Sequence, residues 1–149
     1  MHGFLIIDKP SGITSHDIVR RIRRKLGIRR VGHGGTLDPM ATGIVPVAVG
    51  DATRLLEFFS DSDKGYAATM RLGVTTDSQD AEGEVIATAD WQGLRPQDVV
   101  SAIREMSGDI LQVPPMFSAL KRNGVPLYKL ARQGVEVERK ARPVTIHSV

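Results

Sequence analysis

The stretch that decides the fold is Val31–Gly50, which reads VGHGGTLDPMATGIVPVAVG. It contains glycines at 32, 34, 35 and 43, prolines at 39 and 46, and one carboxylate, Asp38. Proline fixes its own φ and keeps the preceding residue out of the helical region, so Asp38 is expected in a rigid, non-helical loop. The apolar run at 44–49 predicts a buried strand that anchors this loop. A stiff, glycine-rich loop that presents one acid suits a covalent or acid–base carboxylate.

The same loop also allows a simpler interpretation. Asp38 could be only a turn residue whose carboxylate accepts hydrogen bonds from backbone amides, as Asp often does before Pro. The stretch lacks the Gly-Lys-Ser/Thr ending of a phosphate-binding loop and the G-x-G-x-x-G of a dinucleotide site. The loop alone leaves a catalytic and a structural role open.

The composition of the 149 residues is that of a globular protein, with 41% hydrophobic and 25% charged residues. The absence of cysteine excludes disulfides and thiolate metal ligands. The four histidines match no zinc pattern, and the acidic segment 77–84 lacks the spacing of a calcium loop, so no metal site is predicted. No apolar run has the length of a membrane span, and the N-terminus does not resemble a signal peptide. We therefore expect a cytoplasmic protein with no membrane partner.

Positive charge is concentrated towards both ends of the chain. Residues 1–60 carry nine basic and five acidic residues, 61–98 carry three and eight, and 99–149 carry eight and four. This pattern favours a polyanion such as nucleic acid as the partner, although a solvated surface also explains it. The densest basic cluster, which we interpret as phosphate contacts, comprises Arg20, Arg21, Arg23, Arg24, Lys25, Arg29 and Arg30.

Strand and helix patterns alternate without a regular βαβ rhythm, which indicates the α+β class. Thr14 and Asp17 have the spacing of a capping box before an amphipathic helix, and Gly27 is its natural end. Asp51 is placed to cap the next helix, and Val99, Val100 and Ile103 are expected to face inward on a later one. The predicted strands are 4–7, 44–49, 66–74, 85–87, 110–113, 135–138 and 143–149, and the predicted helices are 14–26, 51–59, 96–106 and 127–133.

Several of these motifs together resemble one enzyme family. HGGTLDPMATGIVPVAVGDATRLLEFF at 33–59 is similar to the active-site motif of the bacterial tRNA pseudouridine synthase B family. The likeness extends to LIIDKPSGITSHDIVRRIRR at 5–24, DKGYAATMRLGVTTDSQDAEGEV at 63–85 and VPPMFSALKRNGVPLYKLARQGVEVERKARPVTI at 113–146. The resemblance therefore covers nearly the whole chain in order, and it implies a mixed, largely antiparallel sheet with flanking helices.

The resemblance also implies an activity and roles for individual residues. The T-loop uridine at position 55 of tRNA would be isomerised to pseudouridine without a metal or organic cofactor. Asp38 would be the nucleophile on a flipped-out uridine, Tyr66 would stack on the target uracil, and His33 would stack within the opened T-loop. The residues that support the catalytic loop would be Lys9, Gly35 and Pro39. The partner would be the T-arm of tRNA, and the full-length enzyme would act as a monomer.

The sequence departs from the family pattern in two ways. Position 34 is Gly where many relatives carry Thr, and little effect is expected. Family members continue well past residue 149, so 1–149 would be the N-terminal part of the catalytic domain. The rest of that domain, including an arginine that pairs with the aspartate, and a C-terminal RNA-binding domain would then lie outside this apparently truncated chain. A buried Asp38 without that cation would be a poor nucleophile because burial disfavours the charged form, so the chain alone is expected to be inactive.

Two other functions stay open at this level. One is the catalytic subunit of a guide-RNA pseudouridylation particle, which shares the Thr-Leu-Asp-Pro loop. The other is a non-catalytic tRNA-binding or tRNA-folding module, in which Asp38 is only a turn residue.

Overall fold

The computed structural model describes residues 1–59, 62–118 and 120–149, and the chain divides into two compact units, Met1–Ala67 and Ala68–Val149. The first unit contains β1 (Gly3–Lys9), α1 (Ser15–Leu26), β2 (Val31–His33), β3 (Gly43–Val49) and a 3₁₀ helix (Gly50–Phe59). The second unit contains β4 (Val74–Thr76), β5 (Val85–Thr88), α2 (Pro96–Arg104), β6 (Gly108–Gln112), β7 (Lys121–Arg122), β8 (Val125–Pro126), α3 (Leu127–Ala131) and β9 (Arg142–Ile146). Every strand pair among these elements is antiparallel, which confirms the predicted α+β class.

The core of the first unit lies between its sheet and α1. The sheet has the order β1–β3–β2, with Ile7 opposite Val45 and Val31 opposite Val49. Because side chains alternate along a strand, every second residue of β3 faces the helix. The buried cluster consists of Ile18, Val19, Val31, Val45, Val47 and Val49, none more than 4% exposed. The predicted buried strand at 44–49 is therefore confirmed, although Ile44 at its start is exposed.

Helix α1 has the ends that the sequence predicts. The N–H of Asp17 donates to Oγ1 of Thr14 at 3.1 Å, and the N–H of Thr14 donates to Oδ2 of Asp17 at 2.9 Å, which completes the capping box. Gly27 ends the helix with φ 67°, a left-handed conformation that glycine adopts at little cost. Both signals are local, so the sequence alone was enough to locate the helix.

The predicted helix at 51–59 forms, but as the 3₁₀ helix that begins at Gly50. Asp51 does not cap it as predicted. Its carboxylate accepts a hydrogen bond from Nη1 of Arg30 at 2.7 Å and lies 3.1 Å from Nδ1 of His2. Arg30 thus takes the carboxylate that a cap would use, and Nδ1 of His2 accepts a hydrogen bond from the N–H of Asp51 at 2.9 Å.

In the second unit the acidic segment 77–84 joins β4 to β5 as the predicted hairpin, and β6 pairs with β9. The short hairpin of β7 and β8 lies where aromatic and basic residues alternate in the sequence. Helices α2 and α3 each end two residues earlier than predicted. Val99 and Ile103 are partly buried on α2, as predicted, but Val100 is exposed. Within the residues described, no helix is both long and apolar enough to cross a membrane.

Two predicted strands are wrong. Residues 66–73 form no strand, and Tyr66 and Met70 are exposed. An alternating pattern becomes a strand only if another strand satisfies its backbone groups, and within the described residues none pairs with this segment. Residues 135–138 are also irregular, because the N–H of Val135 donates to the carbonyl of Leu130 beyond the end of α3. The N–H of Val135 is therefore used to close the end of α3 and is not available for pairing with another strand.

Candidate active site

A cavity of about 960 Å³ lies in the first unit beside the Asp38 loop. Its wall includes Asp38, Gly34 and Gly35 on one stretch of chain and Tyr66 on another. Ligand pockets for small molecules span roughly 300–1,000 Å³, so the space can admit a nucleobase. Among the residues that the structure describes, no three His, Cys, Asp or Glu side chains form a group that could hold a metal ion.

Asp38 opens a tight turn in the wall of this cavity. The N–H of Ala41 donates to the carbonyl of Asp38 at 3.0 Å, and Pro39 occupies the second turn position, where its fixed φ is favoured. Asp38 itself is exposed. The expectation of a buried Asp38 is therefore wrong for this chain, because no described part of the first unit covers the outer side of the turn.

Lys9 holds the residue that follows Asp38. This lysine is fully buried, and its Nζ donates to the carbonyls of Ile13 at 2.7 Å, Pro10 at 3.0 Å and Pro39 at 3.1 Å. The carbonyl of Pro39 also accepts from the N–H of Gly12 at 2.8 Å. An ammonium group has three donors, and here each finds a carbonyl oxygen. The buried charge thus ties the end of β1 to the Asp38 turn.

Ser15 holds the residue that precedes Asp38, and the sequence reasoning missed it. Its side chain is 1% exposed, and its Oγ accepts a hydrogen bond from the N–H of Leu37 at 3.0 Å. Ser15 lies three and four residues before Ile18 and Val19, on the buried face of α1. A hydroxyl on an otherwise apolar helix face was the available signal, because a buried polar group requires a partner.

The other predicted contacts with substrate differ in position. Tyr66 is 73% exposed and lines the cavity together with Asp38. His33 ends β2, is only partly exposed and does not line the cavity, although the adjacent Gly34 does. The Nδ1 atom of His33 is buried and has no hydrogen-bond partner among the described residues. The structure therefore brings Asp38 and Tyr66 to one wall, and His33 to its margin.

The predicted basic cluster divides into two groups. Arg20 pairs with Asp17, Arg23 donates to the carbonyl of Val31 at 2.7 Å, and Arg30 pairs with Asp51. Contacts from Thr14 and then Arg20 hold the pKa of the Asp17 carboxyl well below its usual range. The cations that are exposed and have no partner in the described part of the chain are Arg21, Arg24, Lys25 and Arg29. All donors of this second group are therefore available to an external anion.

Residues 23–149 match the family described as TruB family pseudouridylate synthase (N terminal domain). The chain belongs to the TruB family. It is 57% identical over 98% of its length to tRNA pseudouridine synthase B of Syntrophotalea carbinolica, and 52% identical over its whole length to the protein of that name from Geobacter sulfurreducens. These matches cover 48% and 49% of the two proteins, so the chain spans about half the length of these TruB relatives.

A solved structure supports the same relationship. A chain in the crystal structure of a Cbf5–Nop10–Gar1 complex superposes with a TM-score of 0.53 and 29% identity, over 81% of this chain and 31% of that one. The resemblance that the motif at 33–59 indicates is thereby confirmed at the level of the TruB family.

Proposed function

We propose that the full-length protein containing this chain is an isomerase that converts a T-loop uridine of tRNA to pseudouridine, with Asp38 as the nucleophile. The main support is the position of Asp38, which is exposed on a rigid turn in the wall of a cavity large enough for a nucleobase. Membership of the TruB family gives the reaction class. The relatives at 52–57% identity carry the name of a tRNA enzyme, which favours this function over the guide-RNA alternative.

The proposed chemistry rearranges the uridine without adding or removing atoms overall. The bond between N1 of the base and C1′ of the sugar breaks, the base turns, and a new bond forms between C5 and C1′. The proton on C5 leaves, and N1 gains one. The Asp38 carboxylate adds transiently either to the uracil ring or to C1′, and either path requires it close to the target atom. A paired base cannot reach this wall, so the nucleotide must leave the stack.

The proposed substrate contacts surround this wall. The exposed ring of Tyr66 stacks on the extruded uracil, because every base offers a face to an aromatic side chain. His33, at the margin of the cavity, stacks within the opened T-loop. Lys9, Gly35 and Pro39 support the loop: Lys9 binds the carbonyl after Asp38, Pro39 limits its rotation, and Gly35 leaves open space. The tRNA phosphates bind the four unpaired cations of the basic cluster.

We further propose that this chain forms the N-terminal part of a catalytic domain. The supporting fact is that its relatives are about twice as long. Residues outside this sequence then complete the cavity around Asp38, which is open on its outer side. On this basis the 149-residue chain alone is inactive. The resemblance to the family further favours a full-length enzyme that acts as a monomer in the cytoplasm. Release of tritium from labelled tRNA by the isolated chain, at a rate near that of the longer protein, would contradict the expected inactivity.

The test of the nucleophile is Asp38→Asn in a protein of the relatives' length, assayed by tritium release from tRNA labelled at C5 of uridine. We expect product formation to fall by at least ~1,000-fold while the Kd for tRNA changes less than about threefold, because the amide keeps the shape but not the nucleophilicity. Asp90→Asn is the matched control, since Asp90 is exposed in the second unit, and should leave both values unchanged. Unchanged product formation by Asp38→Asn would favour the non-catalytic binding module instead.

A further inference from the structure

We propose that Ser15 is a positioning residue for Asp38, an inference that rests on the proposed function of that aspartate. Ser15 is 1% exposed and does not line the cavity, so its side chain cannot touch the RNA. Its Oγ accepts a hydrogen bond from the N–H of Leu37 at 3.0 Å and lies 3.5 Å from the carbonyl oxygen of the same residue. The hydroxyl therefore binds the backbone of Leu37, the residue immediately before Asp38.

The environment of Ser15 explains why a hydroxyl occupies this position. It begins α1 on the face that carries Ile18 and Val19, where an apolar residue would otherwise be expected. Burial of a hydroxyl is unfavourable unless it finds a partner, and here the partner is Leu37. The side chain of Leu37 packs against the same core cluster. Leu37 is thus fixed at both its backbone and its side chain, and both attachments lie in the first unit.

Together with Lys9, Ser15 fixes Asp38 from both sides. After Asp38, the carbonyl of Pro39 is held by Nζ of Lys9 at 3.1 Å and by the N–H of Gly12 at 2.8 Å. Before Asp38, Ser15 provides the hydrogen bond to the backbone of Leu37. Without the Ser15 attachment, Leu37 is held only by the packing of its side chain, so its backbone gains freedom to rotate next to Asp38. A shift of about 1 Å in a reacting group costs on the order of 100-fold in rate, so this rotation affects chemistry before it affects binding.

The experiment compares Ser15→Ala with Thr14→Ala in a protein of the relatives' length. Thr14→Ala removes the cap at the same helix end, where Thr14 accepts from the N–H of Asp17, but it leaves the Asp38 loop untouched. We expect kcat of Ser15→Ala to fall roughly ten- to a hundredfold with KM for tRNA within about twofold. Ser15→Cys, which keeps the size but accepts hydrogen bonds weakly, should give an intermediate kcat. Thr14→Ala should keep kcat within about twofold at a temperature where all variants are folded.

A second readout, hydrogen exchange of the Leu37 amide, does not depend on activity. Exchange should be faster in Ser15→Ala than in Thr14→Ala, because only the first variant removes the acceptor. A normal kcat in Ser15→Ala, or an equal loss of kcat in Thr14→Ala, would overturn the positioning role. If the unsubstituted protein forms no pseudouridine, the proposed function fails. In that case unchanged Leu37 exchange in Ser15→Ala would separately overturn the attachment of the loop to Ser15.

Discussion

Replacing Gly34 with alanine tests how closely the 3₁₀ helix packs on the strand that leads to the Asp38 loop. A Cβ atom at this position would lie 3.2 Å from Cγ of Pro46, 3.3 Å from Cβ of Phe59 and 3.4 Å from Cδ2 of Leu56. Cγ of Pro46 belongs to a closed ring, and Cβ of Phe59 is bonded directly to the backbone. Neither atom can move away by rotation of a side chain. Overpacking of this kind costs about 1–3 kcal/mol. Alanine regains about 0.4–1 kcal/mol by restricting the unfolded chain, so a net destabilisation of up to roughly 2.6 kcal/mol is expected, about 1.3 kcal/mol at the middle of both ranges.

Gly35→Ala is the matched control, because a Cβ atom at the adjacent residue would have no heavy atom within 4 Å and the backbone there needs no positive φ. We expect it to be neutral or to stabilise the first unit by up to about 1 kcal/mol. The single tryptophan, Trp91, lies in the second unit and would report on the wrong part of the chain. Hydrogen exchange of the β3 amides at increasing urea concentration measures the opening of the first unit directly.

A double substitution tests whether the cost at Gly34 comes from its contact with Leu56. Leu56→Ala removes one of the three close contacts, so Gly34→Ala should cost less in that background than in the unsubstituted chain. Equal effects of Gly34→Ala and Gly35→Ala on β3 exchange, or a slower exchange in Gly34→Ala, would refute the packing account. The same contacts bear on threonine, the residue that many relatives carry at position 34. In this chain threonine should require compensation at Pro46, Leu56 or Phe59.

Two further predictions concern α1. Arg21 and Arg24 are exposed and unpaired in the described part of the chain, so reversing the charge of either should weaken tRNA binding. Binding titrations at several salt concentrations should also show the slope of log Kd against log salt lowered by about 0.9 per contact. Reversal at Arg23, which donates to the carbonyl of Val31, should instead lower stability; an unchanged salt slope for Arg21 would contradict this division. Because its partners lower the pKa of Asp17, this carboxylate stabilises the fold above about pH 4 and loses that effect as the pH falls towards the lowered pKa. Urea denaturation should therefore show that Asp17→Asn is less stable than the unsubstituted chain at pH 7, and this difference in stability should shrink below about pH 4. A difference that does not depend on pH would contradict the stabilising role of the Asp17 carboxylate.

The elements that the sequence predicted well are those with signals in neighbouring residues. Thr14 and Asp17 bond to each other, and Gly27 ends α1 through its own backbone conformation. The rigid turn at Asp38 likewise follows from the proline beside it. Such features depend on interactions within a few residues, so they can be read without knowing the tertiary structure.

The failures involve partners that are distant in the chain. The alternation from Tyr66 onward predicted a strand, but pairing decides whether such a segment joins a sheet. The role of Ser15 depends on Leu37, which is 22 residues away, and that contact appears only when α1 packs on the sheet. The likeness to a family identified Lys9 as a supporting residue, but its three carbonyl partners could not be inferred from composition or periodicity.

The attachments of the Asp38 turn have a consequence for synthesis. Its hydrogen bonds to Lys9, Gly12 and Ser15, and the bond from Gly34 to Pro46, all join residues between 9 and 46. A ribosome adds about 5–20 residues per second, so this stretch emerges several seconds before the last residues of the sequence are made. We expect the turn to acquire its shape on the nascent chain once β3 and the 3₁₀ helix have emerged, with no residue of the second unit needed.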